Sequence, residues 1–147
     1  MPITGAYVPS AQQWVRDQVE EYESSGGERA NTLLDTGLPI LIVTYRGQRS
    51  GNVRKIALMR VEHEGAYALV ASKGGAPQNP EWYASIAADP IVEIQDGPVP
   101  HDFKVREIAG DERAEWWVRS VAAYPPYAEY QERTDRLIPV FLAEPAD

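Results

Sequence analysis

The feature that most constrains the fold is a series of short β-prone segments separated by turns rich in glycine and proline. The strongest is residues 40–45 (ILIVTY), and further segments cover residues 53–61, 66–71, 91–95, 99–108 and 138–142. Short turns allow hairpins but leave no room for the crossover connection that parallel strands need. We therefore predict about six strands, mostly antiparallel, of which the first three form a meander.

Four helices are predicted from apolar residues that recur at helical spacing. The first follows a cap at Ser10 and ends at residues 24–27, the second spans residues 81–88 after a cap at Asn79, and the others cover residues 111–123 and 127–133. In the third helix, the residues expected to face inward are Ala114, Trp117, Val118, Val121 and Ala122. The chain shows no strand–helix–strand alternation, so an α+β fold is expected, with helices outside an antiparallel barrel.

Length and composition narrow the class of protein. The chain of 147 residues is expected to form one domain over residues 1–147, with residues 1–12 flexible. It has no cysteine and two histidines, so we expect no disulfide, no thiol chemistry and no metal site. The N-terminus lacks the pattern of a secretory signal, which predicts a cytoplasmic protein. The net charge of -8 argues against nucleic-acid binding, which depends on neutralising phosphates.

Residues 46–60 (RGQRSGNVRKIALMR) concentrate positive charge in this acidic chain. The window holds five cations and no acid, whereas the whole chain has 14 basic and 22 acidic residues. Arginine binds phosphate and carboxylate through paired planar donors, and turn glycines let backbone N–H groups approach an anion. Surface pairing with distant acids would explain any single cation, but the concentration favours an anion site.

Two further regions suit a planar ligand. The glycine pair in Ser72-Lys73-Gly74-Gly75 allows a flat ring to lie against the backbone, although a plain loop before a helix would also explain it. The second region is a group of aromatic residues: Tyr124, Tyr127 and Tyr130, with Trp82 and Trp14 expected nearby. Such rings form a stacking wall, and a tyrosine hydroxyl can orient or protonate a carbonyl. The alternative is a helix that buries its aromatic face.

Other functional motifs are missing or weak. The chain contains no Gly-x-Ser-x-Gly elbow, no Gly-x-Gly-x-x-Gly fingerprint and no phosphate-loop ending. His63 lies in a polar turn, and His101 alternates with the expected core positions Phe103 and Val105, which predicts a structural histidine. A long ligand with a planar head and an anionic tail therefore fits best. Hydride transfer from such a cofactor asks the protein mainly for alignment and a dry pocket.

The first helix leaves two interpretations open. Val15, Val19 and Tyr22 share a face with Trp14, which predicts packing on the body of the domain. Alternatively, Trp14 covers a ligand or makes a weak peripheral contact with a membrane surface. The mixed charges of Arg16 and Asp17 weaken the membrane interpretation.

Several stretches carry a resemblance to a known family. The most specific are SKGGAPxxPxWY at residues 72–83 and YPxYxxYQxxTDRxIPVF at residues 124–141; WVRDQVEEYESSGG at 14–27, GLPILIVTYRGQRSGNVRK at 37–55 and AADPIVEIQDG at 87–97 also match. The chain resembles the deazaflavin-dependent nitroreductase family of actinobacteria, whose members use the reduced 8-hydroxy-5-deazaflavin coenzyme F-420. The resemblance implies a split β-barrel of the flavin-reductase type and a quinone or nitroaromatic electron acceptor.

The resemblance also implies roles for individual residues. The phosphate and glutamate tail of the coenzyme is expected at Gln48, Arg49, Ser50, Gly51, Arg54 and Lys55. The deazaflavin ring is expected along Val70, Ala71, Ser72, Lys73 and Gly74, with Trp82 and Tyr127 close to it. The residues implied to orient the acceptor, and so to be catalytic, are Ser72, Tyr124, Tyr127 and Tyr130.

Two alternative functions remain at this stage. One is a protein that binds and stores the coenzyme without turnover. The other is an oxidoreductase that uses flavin mononucleotide on the same barrel, because the residues alone do not distinguish a deazaflavin from a flavin. Neither the natural acceptor nor the oligomeric state follows from the sequence.

Overall fold

The β-prone segments form one antiparallel sheet of seven strands. The computed structural model describes residue 3 and residues 5–33 and 36–146. Its strands are β1 Ile40–Arg46, β2 Val53–Met59, β3 Glu62–His63, β4 Ala66–Val70, β5 Ile91–Gln95, β6 Pro100–Glu107 and β7 Val140–Pro145. They are ordered β2-β1-β5-β6-β7-β4-β3, and every paired neighbour is antiparallel. The predicted α+β class and antiparallel barrel are confirmed.

The meander predicted for the first three strands is wrong in its third member. β1 and β2 form the expected hairpin, but β4 pairs with β7 on one side and with the two-residue β3 on the other. The sheet curls so that β2, at one edge, contacts β4 near the other. The Ala68 N–H donates to the Val61 carbonyl at 3.0 Å, which continues the pairing of β3 with β4. A sequence pattern identifies strands but not partners that lie far away in the chain. The strand β7 was therefore predicted, but its pairing with β4 was not.

Alternate residues of the strands fill the interior of the curled sheet. Leu41, Val43, Leu69, Val92 and Ile94 are almost fully buried in one cluster, as the two-residue period of a strand requires. Burying side chains of this size contributes about 1.5–3 kcal/mol each. The same cluster receives Trp82 and Ile86 from α2 (Glu81–Ala88), so this helix closes one end of the barrel.

Three helices cover the outer face of the sheet: α1 (Gln13–Ser24), α3 (Gly110–Ala123) and α4 (Pro126–Glu132). Two of the predicted caps are wrong. The Ser10 hydroxyl accepts from the Gln12 N–H at 3.2 Å, and α1 begins at Gln13. Asn79 makes no cap on α2, because its side-chain oxygen accepts from Arg136 instead. No helix of the described part of the chain is long and apolar enough to cross a membrane.

The inward face of α3 is displaced by one residue from the prediction. Trp116 and Ser120 are buried, whereas Val118 is 69% exposed. Trp116 packs with Val140 and Leu142 on the outer face of the sheet, and the Ser120 hydroxyl donates to the Trp116 carbonyl at 2.8 Å. The prediction is correct for Trp117 and Val121, which are partly buried against the core, and wrong for Ala114, Val118 and Ala122, which are exposed. Adjacent tryptophans make two helix faces similarly apolar, so the periodicity alone does not separate them.

Two further expectations also changed, one for the start of β6 and one for the N-terminal segment. His101 was expected at a core position, but it is exposed, as is Val99, because β6 leaves the barrel interior at this end. Residues 6–8 hydrogen-bond with Val53 of β2 at 2.8–2.9 Å. Residues 1–12 were expected to be flexible, and residues 1, 2 and 4 of this segment lie outside the described part of the chain.

The loop after β4 packs tightly against α4. It contains one 3₁₀ turn, Lys73–Gly75, and the buried Gly75 adopts φ +82°. A Cβ atom at Gly75 would lie 2.6 Å from the carbonyl oxygen of Tyr130. Only glycine permits both this backbone conformation and this close approach.

We therefore expect Gly75→Ala to destabilise the fold by about 2–4 kcal/mol, since strain in φ adds to a clash with backbone. Gly65→Ala is the matched control. Gly65 has φ +84°, but nothing lies within 4 Å of its would-be Cβ, so only the strain of about 1–2 kcal/mol should appear. Denaturant unfolding measures both, and equal losses would show that the contact with α4 is unimportant.

Candidate functional site

An apolar cavity lies between α1, α4, β2 and the loop after β4. Its volume is about 260 Å³. The predicted site residues that line it are Val70, Ser72, Lys73, Trp82, Tyr124, Tyr127 and Tyr130. The structure thus brings together the loop and the tyrosine cluster, which are about fifty residues apart in the chain. Trp14 also lines this cavity, although its side chain is 51% exposed.

The three tyrosines form a compact aromatic wall. Tyr124 and Tyr127 meet edge to face with ring centroids 4.9 Å apart, and the Tyr130 ring lies 6.0 and 6.2 Å from them. The hydroxyls of Tyr124 and Tyr130 share a hydrogen bond of 3.0 Å. The alternative expected from the sequence was a helix that buries its aromatic face. Tyr127 meets both descriptions, because it is buried in the outer core and also lines the cavity.

Two hydroxyl groups at this cavity have no hydrogen-bond partner in the described part of the chain. They belong to Ser72 and Tyr127, which are 8% and 4% exposed. Neither oxygen is among the buried side-chain atoms left without a partner, so both hydroxyls reach the open space of the cavity. Each can therefore donate to a ligand in the cavity, and an oxygen acceptor on that ligand would satisfy it.

Burial raises the pKa of two tyrosine hydroxyls, those of Tyr124 and Tyr127. Desolvation raises the pKa of Tyr124 to about 12, and the hydrogen bond with Tyr130 adds to the effect. Desolvation also raises the pKa of Tyr127, with smaller contributions from Tyr124 and Tyr130. Both hydroxyls stay protonated well into the alkaline range, so each acts as a hydrogen-bond donor rather than as an anion.

A polar cleft adjoins the apolar cavity. Its volume is about 680 Å³, and its lining includes Gln48, Arg49, Ser50, Arg54 and Glu81. Pro80 lines both spaces, so the two are neighbours. Neither Arg49 nor Arg54 has a carboxylate within ion-pair distance among the residues described. The cleft therefore offers two guanidinium groups to an anion that extends from the apolar cavity.

The turn before β2 is held in place by backbone contacts. Gly47 and Asn52 close it, with the Gly47 N–H donating to the Asn52 carbonyl at 2.8 Å. The Gln48 N–H donates to the Ser85 hydroxyl at 3.2 Å, which ties the turn to α2. These contacts fix the backbone from which Arg49 projects.

Comparison with known proteins identifies the family. The model of the F420H(2)-dependent quinone reductase family matches residues 14–145. The chain belongs to this family. The F420H(2)-dependent quinone reductase Rv1261c of Mycobacterium tuberculosis is 33% identical over 107 residues, which cover 71% of this chain and 72% of the relative. The resemblance stated from the motifs is thereby confirmed.

Solved structures agree with this assignment. An F420-H2 dependent reductase (FDR-A) is 54% identical, with a TM-score of 0.69, and the match covers 72% of this chain and 94% of that one. Another structure, of a domain-swapped dimer, is 49% identical with a TM-score of 0.71 and covers 92% of this chain and all of the other. The predicted split-barrel fold is confirmed.

In this member of the quinone reductase family, folding separates the five cations of residues 46–60. Arg46 pairs with Asp89 at 3.3 Å, Arg60 pairs with Asp96 at 2.8 Å, and Lys55 pairs with Glu23. Residues 46–60 contain no acidic residue, but folding brings acidic residues from other parts of the chain next to three of the five cations. Only part of the window faces the cleft, so the expectation of one five-cation site is wrong.

Lys55 was expected to bind the tail of the coenzyme, but its side chain points away from the cleft. Successive residues of a strand point to opposite faces. Arg54 therefore faces the cleft, whereas Lys55 faces α1, with its ammonium 5.1 Å from the centre of the Tyr7 ring. The structure does not bring Lys55 together with Arg49 and Arg54.

Some other predicted residues lie beside the site without lining it. The Ala71 side chain is fully buried in the barrel, and Gly51 and Gly74 do not line either space. Conversely, the cavity has lining residues that sequence reasoning missed: Gln18, Leu33, Ala57 and Met59. Ala57 and Met59 share the α1 side of β2 with Lys55, opposite to Arg54, so the cationic residues did not mark them. Nothing local marked Gln18 or Leu33.

We expect the folded protein to lose stability as the pH rises above the ordinary tyrosine pKa of 10.0. The unfolded tyrosines ionise there, whereas Tyr124 and Tyr127 keep their protons in the folded state, so the unfolded state is favoured increasingly with pH. The free energy of unfolding, measured by denaturant titration across this range, should therefore fall. Tyr127→Phe should have a shallower slope, and an unchanged slope would contradict the raised pKa.

Proposed function

We propose that this chain is an oxidoreductase that transfers a hydride from reduced coenzyme F-420 to a quinone. The observation that carries the proposal is the pairing of two adjoining spaces. One is apolar and holds the unpartnered hydroxyls of Ser72 and Tyr127, and the other presents Arg49 and Arg54. Membership of the F420H(2)-dependent quinone reductase family supports the choice of coenzyme and acceptor.

The residues present fit such a coenzyme. Arg49, Ser50 and Arg54 would hold its phosphate and carboxylate tail, with Gln48 beside them. Glu81, the carboxylate among the described lining residues, offsets one of the two positive charges but not both. Val70, Ser72, Lys73 and Trp82 would contact the ring at the adjoining cavity. When bound, the reduced deazaflavin supplies the hydride.

The side chains at the apolar cavity orient the acceptor by donating hydrogen bonds. Ser72 and Tyr127 would donate hydrogen bonds to a quinone carbonyl and stabilise the negative charge that develops there. Tyr124 and Tyr130 support Tyr127 through ring contacts and share one hydrogen bond, so the wall holds its shape. The apolar lining limits water around the reacting groups.

Trp14 contributes to the acceptor cavity in this proposal. It lines the cavity from α1, while Val19 and Tyr22 of the same helix pack into the outer core. The ligand-covering interpretation of Trp14 is therefore better supported than contact with a membrane surface. Nitroaromatic compounds are a second acceptor class, since a flat ring with polar oxygens would meet the same hydroxyls.

We expect purified protein to oxidise reduced coenzyme F-420 when menadione is added, as followed by the absorbance of the oxidised coenzyme. Tyr127→Phe should lower kcat because one donor to the acceptor is lost, by about tenfold for a hydrogen bond worth roughly 1.5 kcal/mol. Binding without turnover would instead support a storage protein. A yellow protein that carries a flavin spectrum as isolated would support the flavin mononucleotide alternative.

The two faces of β2 provide a test of the tail site. Arg54→Ala should weaken coenzyme binding by about 1.5–3 kcal/mol, since a charged hydrogen-bond donor is lost from the cleft. Lys55→Ala is the matched control, because this neighbouring cation points to α1 and pairs with Glu23. Isothermal titration with the coenzyme measures both. Equal losses for the two variants would show that the tail does not lie in the cleft.

A further inference from the structure

Arg136 connects the segment after α4 to the loop after β4. Its guanidinium donates four hydrogen bonds to residues 71–79: to the carbonyls of Ala71 (3.2 Å), Ser72 (2.6 Å) and Ala76 (2.9 Å), and to the side-chain oxygen of Asn79 (2.8 Å). Within the described ranges, no carboxylate pairs with Arg136. Four of its five N–H donors are thus directed at one loop.

The chemistry of these contacts requires an arginine. A guanidinium presents five N–H donors in one rigid plane, so a single side chain can hold acceptors at both ends of a loop. A lysine ammonium is a compact point charge that cannot span the same set. Arg136 is partly buried, and partial desolvation of a cation that no described carboxylate pairs is unfavourable, which the carbonyl oxygens offset only in part. A loop that only connected β4 to α2 would not need such an arrangement.

The backbone at and just after Arg136 is itself held by hydrogen bonds from α4 and α3. The Gln131 side-chain amide donates to the Arg136 carbonyl at 2.8 Å, and its oxygen accepts from the Ile138 N–H at 3.0 Å. Arg113 of α3 donates to the Ile138 carbonyl at 2.7 Å. The segment that carries Arg136 is therefore held on the same helix as Tyr127 and Tyr130.

The loop meets this helix at a second point. Gly75 lies so close to the Tyr130 backbone that no side chain fits between them. Arg136 and Gly75 together join the loop that carries Ser72 to the helix that carries Tyr127. The distance between the two unpartnered hydroxyls consequently depends on the Arg136 contacts.

We propose that Arg136 is a positioning residue, which sets the Ser72 hydroxyl against the tyrosine wall by holding the carbonyls of the loop. The proposal rests on the function proposed above for this site. Arg136 does not line either space, so it acts through the loop rather than by touching a ligand. Its loss should therefore affect the geometry of turnover more than the affinity for the coenzyme tail.

The first test needs no coenzyme. Hydrogen exchange is compared in the wild type, Arg136→Ala and Arg106→Ala, whose native arginine forms exposed ion pairs with Glu112 and Glu144. We expect the amides of Gly75 and Ala76, which bond to the carbonyls of Ser72 and Lys73, to exchange at least about tenfold faster in Arg136→Ala only. Amides of α3 serve as the internal reference. Unchanged exchange in the loop would overturn the proposal.

The second test measures turnover. In Arg136→Ala, we expect kcat to fall by about tenfold or more, because a small displacement of a positioned group is costly, while the coenzyme Kd changes by less than about threefold. Added guanidinium ion should restore part of kcat in this variant and in no other. Arg136→Lys should remain impaired, since the charge alone does not hold the loop. Wild-type kcat in Arg136→Ala or Arg136→Lys would overturn the proposal.

Two further results keep these tests decisive. If Arg136→Ala does not fold, Asn79→Leu removes one of the four acceptors and leaves the arginine in place, so exchange of the same loop amides should rise by a smaller factor. No change in that variant, together with normal kcat in Arg136→Lys, would reject the role. If the wild type does not oxidise the coenzyme, the proposed function fails, and loop exchange alone decides whether Arg136 holds the loop.

Discussion

The contact between the loop after β4 and α4 is the constraint on which the site depends. These segments are far apart in sequence, and each would be an ordinary connector by itself. Gly75 allows the backbones to meet, and the tyrosines of α4 then stand opposite Ser72. The apolar cavity exists because this contact leaves a gap above it, between the loop, α1 and β2. The catalytic hypothesis therefore depends on backbone packing as much as on side-chain chemistry.

The two-residue period of a strand decides which cations can bind a ligand. Arg54 and Lys55 are neighbours in sequence, yet one faces the cleft and the other faces α1. Folding also pairs Arg46 and Arg60 with acids that lie far along the chain. These exposed or half-exposed pairs contribute little stability each. Their main effect is to withdraw positive charge from the site, so that the cleft presents Arg49 and Arg54.

Sequence reasoning recovered the elements and the three site regions but not their long-range arrangement. The main strands, the helix α2 and the tyrosine cluster follow from local patterns, and the motifs identified the family. The β4–β7 pairing, the inward face of α3 and the acid partners of the cations depend on contacts between distant residues, which no local pattern encodes. Arg136 was visible inside the Thr-Asp-Arg motif, but its function became apparent only when its four acceptors were located.

Pro80 stands at the boundary between the apolar cavity and the cationic cleft. Under the proposed function, this rigid ring lies between the space for the acceptor and the space for the coenzyme tail. Residues such as Leu33 and Gln18 line only the first, and Arg49 lines only the second. If the proposed function holds, substitutions at Gln18 or Leu33 can reshape the acceptor space while the two arginines that would hold the anionic end of the electron donor stay in place.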